Sequence, residues 1–448
     1  MSTTMEGPDR WPATQSRDGS YPAHSGSTGE TPVPPALRLF AADLHVHIGA
    51  SSEGKPVKVT ASRDLTFANI AAECVQRKGL DLVGIVDCAS PRVMRDMAAL
   101  LDSGEMQPQP GGGFRYQDRV TLLPAAEVET RETAGGMSHH LGYFRDLDSL
   151  AIFSAEIGRL VTNSDLSSQA CGLPARELFG LVDACGGLFC PAHAFTPHKS
   201  LYGACAERAA PLFGEAWEKI PAIELGLSAD TDLADRIAEL ADKTFLTNSD
   251  AHSLPKIARE YNLLELAAPT WEELRRALWR QEGRRVAANF GLNPRLGKYH
   301  RTCCEDCGHI AQGTPRDQAE PPRLTCEGCG SAHVTRGVLD RIISIADQPR
   351  PRHPAHRPPY QYQVPLQFVP GVGPVALRKL INRFGSEMAV LHQAEEPDLA
   401  TTVGAKIARL IVLAREGKLV LSSGGGGTYG KALAEARARQ DALPFAAL

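Results

Sequence analysis

The residues best equipped for chemistry sit at the ends of apolar runs. His45 and His47 alternate in DLHVH, so both imidazoles leave the same side of an extended segment. Asp87 ends GIVDC, Glu127 ends PAAEV, His193 ends CPAH, and Asp250 and His252 close NSDAH. His139 and His140 open HHLGYF, and His139 is the preferred candidate of the two. A single His at a strand end is an ordinary hydrogen-bonding group, and HxH alone is a frequent accident. Repetition at several run ends is harder to explain by packing. Apolar residues fill a core better, and buried charge is costly unless paired or metal-bound. Imidazole with carboxylate suits zinc, manganese or iron, and a carboxylate such as Glu127 can bridge two ions. Such a donor set supports hydrolysis of a phosphate ester, in which divalent ions acidify a water and neutralise charge at phosphorus. The expectation is a centre of two or three divalent ions (Zn, Mn, Fe or Mg). Its ligands would be His45, His47, Asp87, Glu127, His139, His193, Asp250 and His252, all but His139 also being expected catalytic residues.

Elements that can position these groups are readable between about Leu37 and Val286. LRLFAADLHVH, LDLVGIVDC, VTLLPAAEV, GLFCPAHAF, IPAIELGL and KTFLTNSD read as strands, and FANIAAECVQRKG, PARELFGLVDACG, LADRIAELADK and WEELRRALWRQEG as helices. Strand–helix alternation predicts a parallel α/β core, open or closed into a barrel. In such a core the carboxyl ends of the strands share one edge, where active sites collect. QPQPGGGF (107–114) reads as a loop inside this unit.

Composition limits the rest. Of the 448 residues 43% are hydrophobic and 22% charged, which suits a folded multi-domain chain. No run approaches the roughly 18 apolar residues of a membrane helix. No basic flank leads into an apolar N-terminal run, so no secretory signal is expected and the cytoplasm is the expected location. Eleven cysteines, four of them in two Cys-x2-Cys pairs, argue for metal-bound thiolates rather than a disulfide framework. The formal charge of −4 is uneven: residues 281–448 hold 22 Lys and Arg against 15 Asp and Glu, the rest 26 against 37. An acidic half suits a metal site and a basic half a polyanion.

The domains emerge from these shifts: a disordered leader (1–36), the α/β domain (37–295), a four-cysteine zinc ribbon (296–347), a Pro- and Arg-rich extended connector (348–365), a helical domain (366–420), and a Gly-rich turn with a tail (421–448). In the ribbon, Cys304 and Cys307 are separated from Cys326 and Cys329 by 18 residues, and each pair runs into glycine. This spacing predicts one tetrahedral structural zinc, since four thiolates leave no open position. A module of roughly 35 residues also lacks the core to fold without such help.

In the helical domain, FVPGVGPVALRKLINRFGS resembles a helix-hairpin-helix motif. Gly371 and Gly373 let backbone approach a phosphate, N–H groups at the next helix start point at it, and Arg378 and Lys379 add charge. A plain packing corner with a Gly-rich turn is the competing reading. LATTVGAKIARLIVLAREG carries one of two expected glycines, Gly404, as a degenerate second copy.

DLHVH, IVDC, AAEVE, PAH and NSDAH, in this order, resemble the PHP family of phosphoesterases, which implies a distorted (β/α)7 barrel with a metal cluster. The family pattern has a His after the second-motif Asp, whereas this chain has Cys88 followed by Ala89. Either Cys88 replaces that ligand or the cluster is smaller and Cys88 is a packed thiol. Barrel, ribbon and helix-hairpin-helix together, with the strings PAHAFTPHKSLYG, ELGLSAD and TNSDAHS, are similar to the endonuclease Q family. That resemblance implies cleavage of DNA 5′ to deaminated bases (uracil, hypoxanthine, xanthine) or abasic sites. It also makes Phe195, His198, Tyr202 and Glu224 candidates for a substrate pocket, with loop packing as their alternative. Gln440–Phe445 resembles a short peptide that docks on the sliding clamp. Two other functions fit the same barrel: phosphomonoester hydrolysis on a small metabolite, or a non-catalytic DNA-binding scaffold.

Overall fold

The computed structural model describes residues 35–133, 135–311, 325–422 and 424–433. The expected leader up to residue 34 and the clamp-like peptide Gln440–Phe445 lie outside the described residues.

β1 (Arg38–Val46) is buried on both faces beyond Leu39, as a strand covered by two layers must be. A loop folded back on the end of β1 leads to α1 (Phe67–Glu73), which starts where the Thr66 hydroxyl accepts from Asn69 N–H and ends in a wider turn closed by Gly79 in the left-handed region. β2 (Leu82–Ile85) and α2 (Pro91–Asp102) come next. β3 (Met106–Pro108) and β4 (Phe114–Tyr116) pair antiparallel, so the expected loop at 107–114 is the tip and flanks of a hairpin. Then come β5 (Val120–Arg131), β6 (Met137–Tyr143), α3 (Leu147–Gly158) with an Asp146–Ser149 capping box, α4 (Ala175–Ala184) and β7 (Leu188–Pro191). The one-turn α5 (Ala210–Phe213), β8 (Ala222–Glu224), α6 (Thr231–Ala234), β9 (Thr244–Leu246), β10 (Tyr261–Leu266), α7 (Trp271–Leu278) and β11 (Arg285–Gly291) complete the barrel. The helix expected over 233–243 forms only as the end of α6 and a 3-10 turn at Ala238–Leu240.

The sheet is mixed, not all parallel. β1, β2 and β5 run parallel, but β10 flanks β1 antiparallel, and β5–β6–β7 is an antiparallel meander. β8 and β9 pair with each other, and residue contacts join β7 to β8 and β9 to β11, closing a distorted barrel. Its interior is one apolar layer. Ala42 and Leu44 on β1, Leu123 and Ala125 on β5, Leu141 and Tyr143 on β6, and Leu264 on β10 point inward, and Trp271, Leu274 and Leu278 of α7 cluster with them. These α7 positions recur at helical spacing, which puts them on one buried face.

The ribbon carries β12 (Cys303–Cys304) against β13 (Val334–Thr335) and leads into α8 (Val338–Ile345). The expected connector at 348–365 is not a free spacer. It forms β14 (Tyr360–Tyr362), an edge strand parallel to β11, and Arg357 is buried against Asp235 at 2.8 Å. Beyond it lie the helices α9 (Pro374–Phe384), α10 (Glu387–His392), α11 (Glu396–Val403) and α12 (Ala405–Arg415). They dock on the barrel through a buried ion pair, Lys78 Nζ to Glu387 at 3.0 Å, and through the Tyr261 hydroxyl, which bonds to Gln363 at 2.6 Å and lies 2.5 Å from His392 Nε2. β15 (Val420–Ser422) and β16 (Lys431–Leu433) close the described chain as a small hairpin. No helix of the described residues is long and apolar enough to cross a membrane.

Candidate metal centre and nucleic-acid surfaces

Seven expected ligands converge at one end of the barrel. Three overlapping triads have potential ligand atoms within 4.8 Å of one another: His45–His47–Glu127, Glu127–His139–His193 and His47–Asp250–His252. The strands explain the convergence. The HxH pair leaves the end of β1, Glu127 and His139 are diagonal neighbours on one face of the β5–β6 ladder, and His193, Asp250 and His252 lie just beyond β7 and β9. Glu127 is the hub: its Oε1 lies 3.0 Å from His139 Nδ1, 3.4 Å from His193 Nε2 and 3.6 Å from His45 Nε2. Asp250 Oδ1 lies 3.3 Å from His47 Nε2 and 3.5 Å from His252 Nδ1. Asp250 and His193 both take positive φ (45° and 28°), a strained conformation for residues with side chains that clusters at functional sites.

Two other carboxylates set the imidazoles. Glu224, fully buried, lies 2.9 Å from His45 Nδ1 and accepts from the Asn248 amide. Asp87 lies 3.0 Å from His47 Nδ1 and accepts from Ile48 N–H. With both Nδ1 atoms so engaged, the two Nε2 atoms stand 3.2 Å apart and face the centre. This is the carboxylate–histidine arrangement that fixes the tautomer of a ligating imidazole. Asp87, expected as a ligand, is therefore placed behind His47. Glu224, expected in a substrate pocket, is placed behind His45. Glu129 plays the same part for His139, 3.4 Å from its Nε2; that imidazole, with Lys199 at 2.7 Å, holds the Glu129 carboxyl at about 2. Glu129 escapes a reading by strand ends, although it alternates with Glu127 on β5 and so shares its face.

The electrostatics describe a pocket built for cations. Burial pulls the His45 imidazole down, but Glu224, Asp250 and Glu127 override it and push its pKa up to about 10. Burial would raise Glu127 and Asp250, yet neighbouring cationic groups hold both carboxyls well below the usual range. A mixed imidazole–carboxylate set of this kind fits divalent transition metals. His140 faces the other way. Burial drives its pKa down to about 3, its Nε2 bonds the Ser138 hydroxyl, and its ring stacks on Phe189. Successive strand residues point to opposite faces, so only His139 reaches Glu127. Cys88 is a fully buried core thiol outside every ligand group.

Phe195 and Tyr202, expected near substrate, are core residues instead. Their rings stack 5.3 Å apart, and the Tyr202 hydroxyl donates to Glu239. His198 stays outside the core, edge-on to Tyr299, and helps line a cavity of about 340 Å³ between the loop after His193 and the ribbon residues Glu305, Thr335 and Arg336. The Gly-rich turn is pinned to the barrel side of the ribbon: Gly424 N–H donates to Arg295 O at 2.7 Å and Gly430 N–H to Leu296 O at 2.9 Å. This brings Tyr429 beside Arg259, whose Nη1 donates to the Tyr429 hydroxyl and whose Nη2 donates to the Asp250 carbonyl. No local motif marks Arg259 or Tyr429.

In the ribbon, Cys304, Cys307, Cys326 and Cys329 converge, with Sγ separations of 3.7 Å (Cys304–Cys329) and 3.6 Å (Cys307–Cys326). Gly308 and Gly330 take positive φ at the two knuckles, as the turns require. Backbone N–H groups of Cys329 and Gly328 help lower Cys326 to about 6, favouring a thiolate. On the far unit, Gly371 (φ 89°) and Gly373 stand at the hairpin surface, Arg378 and Lys379 lie on the helix beyond it, and no side chain caps the start of α9. A Cβ at Gly371 would press on Ile407 of α12, so the hairpin glycine also permits close packing. A single 3-10 turn, Leu366–Phe368, precedes this hairpin.

Comparison with known proteins agrees with this architecture. A family model described as PHP-associated matches residues 230–283. The uncharacterized protein YqxK of Bacillus subtilis (strain 168) is 46% identical over 88% of this chain and 99% of its own length. The lesion-specific endonuclease PfuEndoQ of Pyrococcus furiosus superposes with a TM-score of 0.74 at 33% identity, covering 88% of this chain and 95% of that one. An endonuclease Q solved with a 27-mer duplex carrying an abasic lesion at its active site gives the same TM-score and identity over 96% of its length. On this likeness, with the metal-ligand cluster at the barrel end, the chain belongs to the endonuclease Q family and is a metal-dependent endonuclease.

Proposed function

We propose that the protein is a DNA repair endonuclease that nicks one strand 5′ to a deaminated base (uracil, hypoxanthine, xanthine) or an abasic site, leaving a 3′-hydroxyl and a 5′-phosphate. The observation that carries this reading is the meeting of seven donor side chains, from five separate strands and their ends, around Glu127. His45, His47, Glu127, His139, His193, Asp250 and His252 are the residues that would hold divalent ions. When bound, such ions acidify water and stabilise the charge of an in-line displacement at phosphorus. The chain's own part is positional. Glu224 and Asp87 keep two imidazoles turned inward, Glu129 does the same for His139, and Arg259 ties the backbone of Asp250 to Tyr429.

Recognition belongs to surfaces around this centre. The cavity beside His198 and Arg336, about 340 Å³, has the size of a small-ligand pocket and suits an extruded nucleotide. A damaged base is cheaper to unstack than a paired one, which supplies selectivity. Gly371, Gly373, Arg378 and Lys379 present backbone N–H groups and charge suited to a DNA phosphate without reading sequence. The four ribbon cysteines would hold one structural zinc. Reduced thiols and a chromosomal substrate suit the cytoplasm.

The test is an end-labelled duplex with one uracil, hypoxanthine or abasic site, incubated with Mg²⁺, Mn²⁺ or Zn²⁺. Cleavage is expected on the 5′ side of the lesion, absent from undamaged duplex, and lost in Asp250→Ala and His45→Ala while DNA binding persists. Equal cutting of undamaged DNA, or turnover of a small phosphomonoester alone, would overturn the reading.

A further inference from the structure

Three cations gather beside Asp250. Arg259 is 6% exposed, yet its guanidinium donates to neutral oxygens: Nε to Ser249 O at 2.7 Å, Nη1 to the Tyr429 hydroxyl at 3.2 Å and Nη2 to Asp250 O at 3.3 Å. The next residue, Glu260, does not neutralise it, because burial raises that carboxyl to about 8 and leaves it protonated at neutral pH. Lys256 and Lys298 complete the group. Burial first, then the charges of Arg259 and Lys298, hold the Lys256 ammonium below its ordinary value, which marks the three as neighbours. Among the described residues none of the three forms an ion pair with a carboxylate. Asp250, the acid that acts on Lys256, has its carboxylate committed to His47 and His252. Buried charge left in this state is costly unless an anion arrives to meet it.

Two aromatic rings stand among these cations. Tyr429 is delivered by the Gly-rich turn, which lies close along the barrel exit: Gly427 N–H donates to Lys298 O at 3.2 Å, and a Cβ at Gly424 would stand 2.8 Å from Gly297 O. Lys298 Nζ is 4.9 Å from the centre of the Tyr299 ring and 5.9 Å from that of Tyr429, within cation–π range. Tyr299 is edge-on to His198, which lines the 340 Å³ cavity, so the cluster runs from the Asp250 side of the centre to the edge of that cavity. The Tyr429 hydroxyl accepts from Arg259, and among the described residues nothing accepts its own proton. A hydroxyl that accepts from a cation is polarised and donates more strongly.

We propose that the Tyr429 hydroxyl donates to a non-bridging oxygen of the DNA phosphate next to the scissile one, with Lys256 and Lys298 flanking that phosphate and Arg259 as the positioning residue that aims the hydroxyl. This rests on the endonuclease reading of the centre and names a contact for its substrate. Two hydrogen bonds through one guanidinium tie the phenol to the backbone of Asp250, so the grip and a metal-ligating residue share one support. A phosphate held there fixes the register in which the strand crosses the centre. The contact reads no base.

The experiment uses the full chain and an end-labelled duplex with one abasic site, in which single phosphates beside the cut are replaced in turn by a neutral methylphosphonate. Tyr429→Phe keeps the ring and loses only the hydroxyl. Its single-turnover nicking of the unmodified duplex is expected to fall about 10-fold, the worth of one hydrogen bond to a charged acceptor, with melting temperature and metal content as in wild type. In wild type, one neutralised phosphate beside the cut should cost about the same factor. In Tyr429→Phe the same replacement should cost nothing further. Lys298→Met should shrink the slope of log affinity against log salt by about one. A purely structural tyrosine would not tie its loss to one phosphate. A wild-type rate in Tyr429→Phe, loss of metal from that variant, losses that multiply at every phosphate, or an unchanged salt slope in Lys298→Met would each overturn the proposal. Failure of wild type to nick the unmodified lesion duplex would sink the lesion-endonuclease reading itself, a separate result.

Discussion

At the scale of single residues, the centre is governed by which nitrogen each imidazole turns inward. His45 and His47 have two chemically similar nitrogens, and only the carboxylates at Nδ1 make Nε2 the inward donor. Glu224→Gln leaves a hydrogen-bonding group in place but removes the charge that supports His45. Metal affinity is expected to fall roughly 10–100-fold, measured by competition with a fluorescent chelator, with the melting temperature little changed. A fall in stability without a fall in affinity would show Glu224 to be a core group only. The high pKa of His45, about 10, sets the sign of the pH dependence. Below that value a proton competes with the cation for the ring, so apparent metal affinity should climb as pH is raised through neutrality. Titration calorimetry in buffers of different ionisation heat would count the protons released.

At the scale of elements, two modules are built on related devices, uncapped backbone N–H groups in one and converging sulfurs in the other, each set by glycine. α9 begins without a side-chain cap, and Arg378 and Lys379 stand on its second turn. Reversing both charges, Arg378→Glu with Lys379→Glu, should weaken binding to lesion and undamaged duplex alike. The slope of log affinity against log salt should shrink by about one for each phosphate no longer gripped. Single-turnover nicking at saturating DNA should stay near wild type. A change confined to lesion DNA would mean that this helix reads the damage. The ribbon differs from α9 in that its four sulfurs converge on one point. Among the described residues its hairpin contributes two short strands, little apolar surface to hold a fold alone.

At the scale of the whole molecule, a buried acid fastens the chain at the end of the last barrel strand. Glu260 accepts from Leu292 N–H at 2.8 Å where the barrel chain leaves toward the ribbon, and burial raises its carboxyl to about 8. Its ordinary value is 4.5, so between pH 4.5 and 8 the folded chain binds a proton that the unfolded chain has released. The stability this group contributes is fully present below its ordinary value and is lost as pH rises through about 8, with a slope of about 1.4 kcal/mol per pH unit within the window. Glu260→Gln should flatten that decline, and denaturant melts at the two ends of the window would measure it. A variant with the wild-type pH slope would refute the assignment. The same scale explains how the helical unit is held: Lys78 and Glu387 meet in a buried pair, and breaking such a pair by removing one partner costs about 3–5 kcal/mol.

Much of this protein is written in its local patterns. HxH on an apolar run, acids and imidazoles at further run ends, and paired Cys-x2-Cys are recognisable because strand periodicity and ligand chemistry are local properties. His139 is only weakly separable from His140 by sequence, since both belong to one strand; the pairing of β6 with β5 decides it by setting His139 opposite Glu129, on the face that also carries Glu127. Other features are decided by tertiary structure alone. Asp87 and Glu224 are ordinary strand-end acids until folding sets them behind His47 and His45. Phe195 and Tyr202 come after the PAH motif in sequence, yet the chain turns them into the core. Lys58 comes within 2.8 Å of Glu127, Arg259 holds the Asp250 carbonyl and meets Tyr429 from far along the chain, and the Pro- and Arg-rich stretch becomes an edge strand because β11 offers it an unpaired side. Distances along the chain say nothing about such meetings. They arise when the barrel closes and buried charges must find partners, a demand set by the low-dielectric interior and visible only once the elements have packed.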